Sequence, residues 1–405
     1  MHCHSVPARN NWREQAHDRG YNVALLTDPP YWIEAIEDPF CAVFSQKESS
    51  EIIDSATAEL TKLALQLVEE ICCSAKSEHY FDYIRIPGFA REPIRRSWKR
   101  HDKSLFGRFD FAYNENSLKL LELNFDTPTS LYESAHLQRL WIEASRQLQS
   151  IPLECTQSNS IQEKLIATFR SLIPYGQVFH LGTFEHAIEE TENLKYLQSC
   201  AVQAGLETQF IYLDDLKYNA NGRLVDLQGR IITCLFKLFP WELLFLEDAK
   251  SFASSGKYLF APLIMSNETT LIEPAWKSIL SNKAILPLLW NMAPNHRYLL
   301  EASLDDNSES AKRLANVAHV RKPIFGREGS GVSIRSEHSP EETHQDGRSE
   351  EPCIVQAYAP LQTYRDFHLV IGSWVVDGEP AGICIRADQS KITGRNALFV
   401  PHYVI

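Results

Sequence analysis

Residues 107–124 constrain the fold of this chain more than any other stretch, because they carry the two-residue period of a β-hairpin. Phe109, Phe111 and Tyr113 alternate with polar or small residues, which is the pattern of a strand with one buried face. Residues 114–116 read Asn-Glu-Asn, which is turn chemistry, and residues 118–124 are apolar enough to return as a second strand. The local sequence therefore predicts two antiparallel strands joined by a tight turn.

Four polar residues of this hairpin are expected on one face. A turn centred near Asn116 places Asp110 opposite Glu122. It also places Arg108 opposite Asn124, and opposite residues project to the same face with Cβ atoms about 5 Å apart. Two carboxylates and an amide oxygen suit Mg²⁺, and a fixed arginine beside them can stabilise a phosphoryl group in transit. One Arg–carboxylate pair on a solvated strand is the simpler alternative, but four such residues together favour a metal–phosphate site.

The residues after the hairpin predict the start of a helix. Ser130 and Glu133 have the spacing of a capping box, and Pro128 lies just upstream, where helix starts tolerate proline. A helix N-terminus offers free N–H groups to an anion, and Thr127 and Thr129 add hydroxyl groups at the same place. For Ser130 alone, an ordinary N-cap is the preferred interpretation.

Length, charge and cysteine usage limit what the whole chain can be. Its 405 residues suggest two or three lobes. The net charge of −12 argues against a nucleic-acid partner and against an anionic membrane surface. Nine cysteines without a Cys-x-x-Cys pair are typical of a reducing compartment, and no apolar run approaches the ~20 residues of a membrane span. We therefore expect a cytoplasmic protein.

The N-terminal region, residues 1–30, is polar, and we expect it to be loose. His2 and His4 could bind a metal ion, but a frayed terminus is the simpler interpretation. Tyr31 follows two prolines and could line a cleft or anchor the chain to the core. Sequence physics alone favours the anchor.

From residue 161 to about residue 248, apolar periods alternate between helix and strand. This alternation predicts a βαβ unit with a parallel sheet and places the chain in the α/β class. The chain has no Gly-x-Gly-x-x-Gly and no P-loop spacing, so dinucleotide-binding and Walker-type sites lack support. Lys277 and Lys283 then stand among apolar residues, where snorkelling to the surface and an inward role are equally consistent.

A second informative stretch covers residues 319–334. It predicts a strand, a glycine-rich loop with Gly326, Gly329 and Gly331, and another strand. Such a loop can bring backbone N–H groups close to a polyphosphate, and Lys322 supplies a point charge. A flexible hairpin is the simpler alternative. Residues 337–351 predict an exposed acidic loop, and the strand at 353–358 could present backbone groups to an adenine edge.

Five motifs together resemble the glutathionylspermidine synthase family. They are GRFD at 107–110, LELNFDTPT at 121–129, WKSILSNK at 276–283, KPIFGREG at 322–329 and GICIR at 382–386. The resemblance extends from about residue 31 to the end of the chain, with the motifs in the family's order. It implies an ATP-grasp-type fold that holds ATP and two Mg²⁺ ions between lobes. It also implies a ligase that phosphorylates the carboxylate of a glutathione-like peptide, which a polyamine-like amine then attacks.

The resemblance assigns a role to individual residues. The Mg²⁺ ligands correspond to Asp110, Glu122 and Asn124, and the residue that steadies the phosphoryl group corresponds to Arg108. Residues expected at the nucleotide are Lys283, Lys322, Gly329, Ser330, Gln356, Ala357, Tyr358, Arg386 and Arg395. Thr127 and Thr129 fall where the thiol-peptide substrate is expected.

The implied organisation is a loose segment at 1–30, the metal-binding hairpin and helical part at 31–160, and a pre-ATP-grasp βαβ lobe at 161–280. A small glycine-rich lid lobe at 281–352 and C-terminal core strands at 353–405 follow. Well-known family members also carry an N-terminal amidase, for which this sequence has no room, so we expect synthesis only. Phe125 stands where a small residue is expected, and a bulky ring there could reshape the acceptor pocket, an effect that the sequence leaves open.

Two alternatives remain open from the sequence. One is an ATP-binding sensor or partner protein without ligase activity. The other is an ATP-grasp ligase for different amino-acid or peptide substrates.

Overall fold

The computed structural model describes residues 1–18, 30–114, 117–173, 176–266, 268–336, 341–344, 347 and 350–405. The strands in this part of the chain are β1 (His2–Ser5), β2 (Phe40–Phe44), β3 (Phe106–Asn114), β4 (Ser117–Asn124), β5 (Val178–Thr183), β6 (Glu207–Tyr212), β7 (Lys217–Tyr218), β8 (Leu224–Val225), β9 (Cys234–Lys237), β10 (Thr270–Ile272), β11 (Ala302–Leu304), β12 (His319–Pro323), β13 (Ser333–Arg335), β14 (Glu342–Thr343), β15 (Cys353–Ala357), β16 (Gln362–Tyr364), β17 (Phe367–Val376), β18 (Glu379–Asp388), β19 (Leu398–Val400) and β20 (His402–Val404).

The α-helices are α1 (Trp12–Asp18), α2 (Ser55–Cys73), α3 (Ser77–Tyr83), α4 (Gly88–Lys99), α5 (Gln138–Gln147), α6 (Ile161–Leu172), α7 (Ile188–Gln203), α8 (Trp241–Ser255), α9 (Ala261–Ser266), α10 (Ile285–Met292) and α11 (Glu309–Ala315). Two π-helical turns precede α2 and α5, at Lys47–Asp54 and Glu133–Leu137, and 3₁₀ turns occupy Ile33–Ala35, Leu213–Asp215 and Ala275–Ser281. Among the described residues, no helix is both long enough and apolar enough to cross a membrane.

The predicted hairpin forms as β3 and β4 and lies in a central antiparallel sheet. The strand order is β19–β18–β17–β3–β4, and β16 also pairs with β17. Residues 106–111 of β3 pair with residues 371–376 of β17. A hairpin from the first third of the chain and strands from its C-terminal part therefore build one sheet.

Alternate residues of this sheet point into two different cores. Phe109 and Phe111 of β3 and Ile383 of β18 pack into the cluster that contains α2. Cys384 of β18 packs into the opposite cluster, with residues of α5, α6 and the parallel sheet. Successive strand residues face opposite sides, so the remaining polar positions of β3 share the second face.

The pairing register of the hairpin contains a β-bulge. Asp110 pairs with Glu122, and Arg108 pairs with Asn124, which confirms the predicted cross-strand pairs. Nearer the turn, however, Phe111 pairs with Leu120, so Leu121 is an extra residue in β4. The predicted turn centre at Asn116 lies outside the described residues. Without the bulge, the register next to the turn would place Asp110 opposite Leu121 instead of Glu122.

The predicted βαβ unit is also confirmed. A sheet with the order β10–β9–β5–β6 is parallel throughout. Helix α7 connects β5 to β6, and α8 follows β9. Parallel neighbours need such crossover connections, and the near-continuous apolar strands at their centre are typical of a sheet covered on both faces.

The glycine-rich loop joins β12 to β13 as predicted, and these two strands pair antiparallel. They belong to a sheet with the order β11–β15–β12–β13–β14. Because β15 (Cys353–Ala357) is part of this sheet, the predicted boundary between residues 352 and 353 falls inside it. The predicted acidic loop at 337–351 is described only in part, and residues 342–343 within it form β14.

The N-terminal residues 1–18 are not loose, and that expectation was wrong. Strand β1 pairs antiparallel with β2, which in turn pairs parallel with β20. Arg9 forms a buried ion pair with Glu34, and the indole N–H of Trp32 donates to the same carboxylate at 2.8 Å. His4 contacts Tyr403 through Nε2 at 3.0 Å. The rest of the predicted loose segment, residues 19–29, lies outside the described part.

Two buried ion pairs hold the open end of the hairpin. Glu273 accepts hydrogen bonds from the backbone N–H groups at the start of β3, and Lys277 lies 3.1 Å from its carboxylate. Asp126, just after β4, lies 2.6 Å from Lys237 of β9. Lys277 therefore does not snorkel to the surface. Removing one partner of such a pair would leave an uncompensated buried charge.

His402 in β20 predicts a measurable pH effect on stability. It is fully buried, neither ring nitrogen has a hydrogen-bond partner among the described residues, and burial lowers its pKa to about 3. Between pH 6.5 and pH 3 the unfolded chain binds a proton that the folded protein excludes, so stability falls as pH falls. We expect His402→Phe to gain about 1.4 kcal/mol relative to the natural chain for each pH unit below 6.5.

Urea unfolding between pH 7 and pH 4 measures this difference. His79 is exposed and serves as the control. His79→Gln should leave the pH dependence unchanged. Parallel pH profiles for His402→Phe and the natural chain would contradict the assignment.

Candidate active site

The polar face of the hairpin opens into a cleft of about 290 Å³. Residues of the hairpin, β12, β15, β18, α7 and the glycine-rich loop line it. Every site residue predicted from the sequence except Ser330 lines this cleft: Arg108, Asp110, Glu122, Asn124, Thr127, Thr129, Lys283, Lys322, Gly329, Gln356, Ala357, Tyr358, Arg386 and Arg395. The structure therefore brings together residues that are up to almost 290 positions apart in the chain.

Arg108 and Asp110 form an ion pair with two hydrogen bonds. Nε of Arg108 donates to Oδ1 of Asp110 at 2.6 Å, and Nη2 donates to Oδ2 at 2.9 Å. Nη1 donates to the backbone oxygen of Thr129 at 2.9 Å. Burial disfavours charge on both groups and raises the pKa of Asp110, but Asp110 outweighs burial at Arg108 and raises the pKa of Arg108. Arg108 therefore stays charged and held in place.

Glu122 is balanced by cations of its own. Nζ of Lys283 lies 3.2 Å from Oε2 of Glu122. Asn124 donates through Nδ2 to Oε1 of Glu122 at 3.2 Å and to Oδ2 of Asp110 at 3.1 Å, so it bridges the two carboxylates. Burial alone would raise the pKa of Glu122, but Lys283 and Lys322 outweigh it and lower that pKa to about 2.

Lys322 and Gln356 join the hairpin to the sheet β11–β15–β12–β13–β14, which we call the lid sheet. Nζ of Lys322 donates to Oε1 of Gln356 at 2.8 Å and to the backbone oxygen of Leu121 at 3.0 Å. Gln356 donates through Nε2 to the backbone oxygen of Leu120 at 3.2 Å. Burial lowers the pKa of Lys322 to about 8, although Glu122 acts in the opposite direction. The side chain of Gln356 is thus engaged with protein on both sides.

The glycine-rich loop needs glycine at residue 329. Gly329 has a φ of 79°, a conformation that L side chains rarely adopt. A Cβ there would also lie 2.9 Å from Ile392 and 3.0 Å from the backbone oxygen of Thr393. The backbone N–H of Ser330 donates to the backbone oxygen of Arg327 at 2.9 Å and closes the turn. Ser330 is therefore part of the loop, although it does not line the cleft in the described structure.

Two further predicted arginines lie at the side of the cleft. Arg386 of β18 donates to the backbone oxygens of Gly394 and Arg395, both at 3.1 Å. Burial, and then the neighbouring charge of Arg108, lower the pKa of Arg386. Arg395 is largely exposed and lies 2.8 Å from Glu189 of α7. Arg386 thus lies at the buried base of the cleft near Arg108, whereas Arg395 lies at the exposed edge of the cleft.

The helix after the hairpin starts differently from the predicted capping box. Ser130 has a φ of 74°, and the backbone N–H of Leu131 donates to Oδ1 of Asn193 at 3.1 Å. Oε1 of Glu133 instead accepts from the hydroxyl of Tyr31 at 3.0 Å. Asn193 of α7 therefore caps this helix. The two residues are 62 positions apart, a contact that sequence spacing cannot reveal.

Sequence analysis missed several cleft residues, most of them acidic. Tyr31, Glu133, Glu189, Glu190 and Arg327 also line the cleft. The sequence alone favours Tyr31 as an anchor to the core, and its side chain is both buried and part of the cleft lining. Burial raises the pKa of Glu190. Arg327 could have been predicted from its position in the glycine-rich loop. No local signal in the sequence marks Glu189 and Glu190, the two glutamates at the start of α7.

Phe125, whose effect on the acceptor pocket the sequence left open, does not line the cleft. Its ring packs against Phe109 with centroids 4.8 Å apart and lies 4.9 Å from Nζ of Lys277. A Cβ at Gly107 would overlap this ring. The absence of a side chain at Gly107 provides the space that the ring fills in the core.

The chemistry of the hairpin face fits Mg²⁺. Among the described residues, no group of three or more His, Cys, Asp or Glu could hold a metal ion. Mg²⁺ does not require such a group, because it usually binds one or two carboxylates together with waters and substrate phosphates. Asp110 and Glu122 supply two carboxylates, and the hydrogen bonds of Asn124 leave its Oδ1 without a partner among the described residues.

Comparisons with known proteins agree with this fold. The sequence model of the glutathionylspermidine synthase preATP-grasp family matches residues 3–405. A Haemophilus influenzae protein with the provisional name acid–amine ligase is 34% identical over 395 residues, which cover 95% of this chain and 94% of that protein.

More distant relatives share the same region. The bifunctional glutathionylspermidine synthetase/amidase of Escherichia coli is 27% identical over 388 residues, which cover 91% of this chain and 60% of that protein. Trypanothione synthetase of Crithidia fasciculata is 29% identical over 332 residues, which cover 78% of this chain and 49% of that protein. A solved glutathione synthetase-like effector from Globodera pallida has a TM-score of 0.53 at 10% identity, with 97% of each chain covered, and supports the fold alone.

The fold is of the ATP-grasp type, and the sequence matches identify the chain as a ligase. More particularly, the chain belongs to the glutathionylspermidine synthase family, a family of ATP-dependent acid–amine ligases. The alternative of a nucleotide-binding protein without ligase activity is therefore set aside.

Gly372 of β17 has no side chain, which leaves the space that Arg108 occupies. This contact predicts a specific defect on substitution. It pairs with Asp110, and a Cβ at residue 372 would lie 2.9 Å from Cδ of Arg108 and 2.5 Å from Sγ of Cys384. Gly372→Ala should therefore displace Arg108. We expect ATP-dependent turnover to fall about 10²-fold, since small misplacements of an active-site group can cost that much.

Steady-state kinetics together with circular dichroism would test this prediction. Gly88→Ala is the control, because a Cβ there meets nothing within 4 Å. Normal turnover by a folded Gly372→Ala variant would show that Arg108 does not depend on this space.

Proposed function

We propose that this protein joins the carboxylate of a glutathione-like peptide to a polyamine-like amine, using ATP and two Mg²⁺ ions. The carboxylate oxygen takes the γ-phosphoryl group of ATP and ADP leaves. The amine nitrogen then attacks the acyl carbon, phosphate leaves, and the nitrogen loses a proton. The single observation that carries this proposal is the convergence of paired carboxylates, fixed cations and a glycine-rich loop in one cleft.

Residues at the phosphate end of the cleft would bind the nucleotide. Lys283 and Lys322 approach Glu122 from the lid side and supply positive charge for the phosphates. The loop at Gly329 and Ser330 supplies backbone N–H groups. The strand end at 356–358 would hold the adenine edge through backbone oxygens. The side chain of Gln356 is already engaged, and the backbone N–H groups of Ala357 and Tyr358 donate to the backbone oxygens of Glu301 and Ala318.

Asp110, Glu122 and Asn124 would hold the metal ions, which would neutralise phosphate charge when bound. Arg108 would stabilise the phosphoryl group in transit, because its guanidinium is charged and held by Asp110. Arg386 lies beside it on the same sheet face and adds a second positive charge. These residues bind and orient, and little covalent chemistry is required of the protein.

The other end of the cleft would bind the two molecules to be joined. Thr127 and Thr129 offer hydroxyl groups for the peptide, next to Arg327, which donates to Thr127 at 3.4 Å. Glu189 and Glu190 line the cleft and offer negative charge to a cationic amine. The name of the Escherichia coli relative agrees with a glutathione-based acid and a polyamine.

A second candidate is a ligase of the same class with another acid and amine. The provisional name of the Haemophilus influenzae relative, which covers nearly the whole chain, states no substrate and favours this possibility. For either candidate we place the reaction in the reducing cytoplasm, because all nine cysteines are free thiols.

Phosphate release by the purified protein tests the substrates. We expect Mg²⁺-dependent release from ATP only when glutathione and a polyamine are both present, with a product at their summed mass minus water. Release with glutathione alone would support the acid and overturn the amine. Release that requires a different acid and amine from a broader panel would favour the second candidate and overturn the first.

Arg108→Ala tests the assignment of the phosphoryl-stabilising residue. We expect turnover to fall roughly 10³–10⁵-fold, the range that such arginines contribute in phosphoryl-transfer enzymes. Arg96→Ala is the control, because Arg96 lies on the exposed face of α4 beside Glu92. Near-normal turnover by Arg108→Ala would remove Arg108 from this role.

A further inference from the structure

The bulge at Leu121 is the feature that brings the two carboxylates together. On the turn side of the bulge, residues of β3 and β4 pair in a register that would place Asp110 opposite Leu121. Beyond the bulge, Asp110 pairs with Glu122. A one-residue slip in a strand exchanges its two faces, so loss of the bulge would turn Glu122 away from the cleft.

The backbone oxygens at the bulge are held by two side chains of the lid sheet. Gln356 donates to the oxygen of Leu120 at 3.2 Å, and Lys322 donates to the oxygen of Leu121 at 3.0 Å. Lys322 also donates to Oε1 of Gln356 at 2.8 Å, which closes the arrangement. In addition, the backbone N–H of Leu120 donates to the backbone oxygen of Tyr298 at 2.8 Å.

Gln356 and Lys322 are both buried, at 1% and 7% exposure. Bulges disrupt the local ladder and leave backbone groups without their strand partners. Here the backbone oxygens of Leu120 and of the extra residue Leu121 accept hydrogen bonds from side chains of another sheet. Those side chains lie more than 200 positions away in the chain. An amide side chain is well suited to this task, because it donates to the bulge and accepts from the lysine at the same time.

We propose that Gln356 is a positioning residue that, with Lys322, stabilises the bulge and thereby the register of the metal-binding carboxylates. The ammonium of Lys322 carries three protons. Two of them are donated to the backbone oxygen of Leu121 and to Oε1 of Gln356, so one remains for a nucleotide phosphate. The lid sheet and the metal-binding hairpin are therefore coupled through this pair. The consequence for Mg²⁺ rests on the proposed function, whereas the consequence for the bulge does not.

Hydrogen exchange of the backbone amides at 118–124, in protein without nucleotide or metal, tests the role at the bulge. Gln356→Met keeps the length of the side chain but loses both hydrogen bonds. We expect exchange in this segment to accelerate on the order of 10- to 100-fold, because buried backbone acceptors lose their donors.

Gln138→Met is the matched control. Gln138 is a buried glutamine that donates to the backbone oxygens of Ser134 and Ile383, and it does not line the cleft. Its replacement should leave exchange at 118–124 unchanged. Gln356→Glu provides a second variant if Gln356→Met does not fold. It keeps an acceptor for Lys322 but loses the donor to Leu120, so exchange should still accelerate.

The Mg²⁺ concentration for half-maximal turnover provides the second readout. We expect it to rise about 10-fold or more in Gln356→Met and not in Gln138→Met, although neither variant removes a metal ligand. Unchanged exchange at 118–124 would overturn the proposal. Accelerated exchange, in a protein whose natural chain shows no turnover with any acid and amine, would uphold the role of Gln356 and overturn the proposed function instead.

Discussion

Two carboxylates at cross-strand distance repel each other, and the structure of the cleft depends on how that repulsion is offset. Asp110 is neutralised by Arg108 from the same strand through two hydrogen bonds. Glu122 is neutralised by Lys283 and Lys322, which come from outside the hairpin. Each buried charge thus has a partner, which is the condition for keeping charges in a protein interior. The same cations surround the place where phosphate groups would bind.

The hairpin can carry this charge because other parts of the chain hold it on every side. Glu273 and Lys277 fix the start of β3, while Asp126 and Lys237 fix the chain just after β4. Strand β17 pairs along β3, and its Gly372 leaves room for the arginine above it. These contacts come from three separate regions of the sequence, so the site is assembled only when the lobes are packed together.

Much of this arrangement could be predicted from local pattern. The period of the hairpin and the alternation of helix and strand are short-range properties, and both predicted structures are confirmed. The predictions that failed concern contacts between distant residues. Ser130 loses the helix cap to Asn193, and the polar N-terminal segment is held by strand pairing with β2. The orientation of Phe125, which the sequence left open, is also set by another residue, because Gly107 leaves space for its ring in the core.

The sequence by itself determined that Arg108 and Asp110 share a face of β3, because side-chain direction in an unbroken strand follows a period of two. It led to the Asp110–Glu122 pair only on the assumption of one register from a turn at Asn116, whereas the observed register next to the turn leads to a different pair. That decision belongs to the tertiary structure, in which one extra residue is stabilised by hydrogen bonds from Lys322 and Gln356. A bulge of this kind leaves no periodic signal in the sequence, because its stability comes from donors more than 200 residues away.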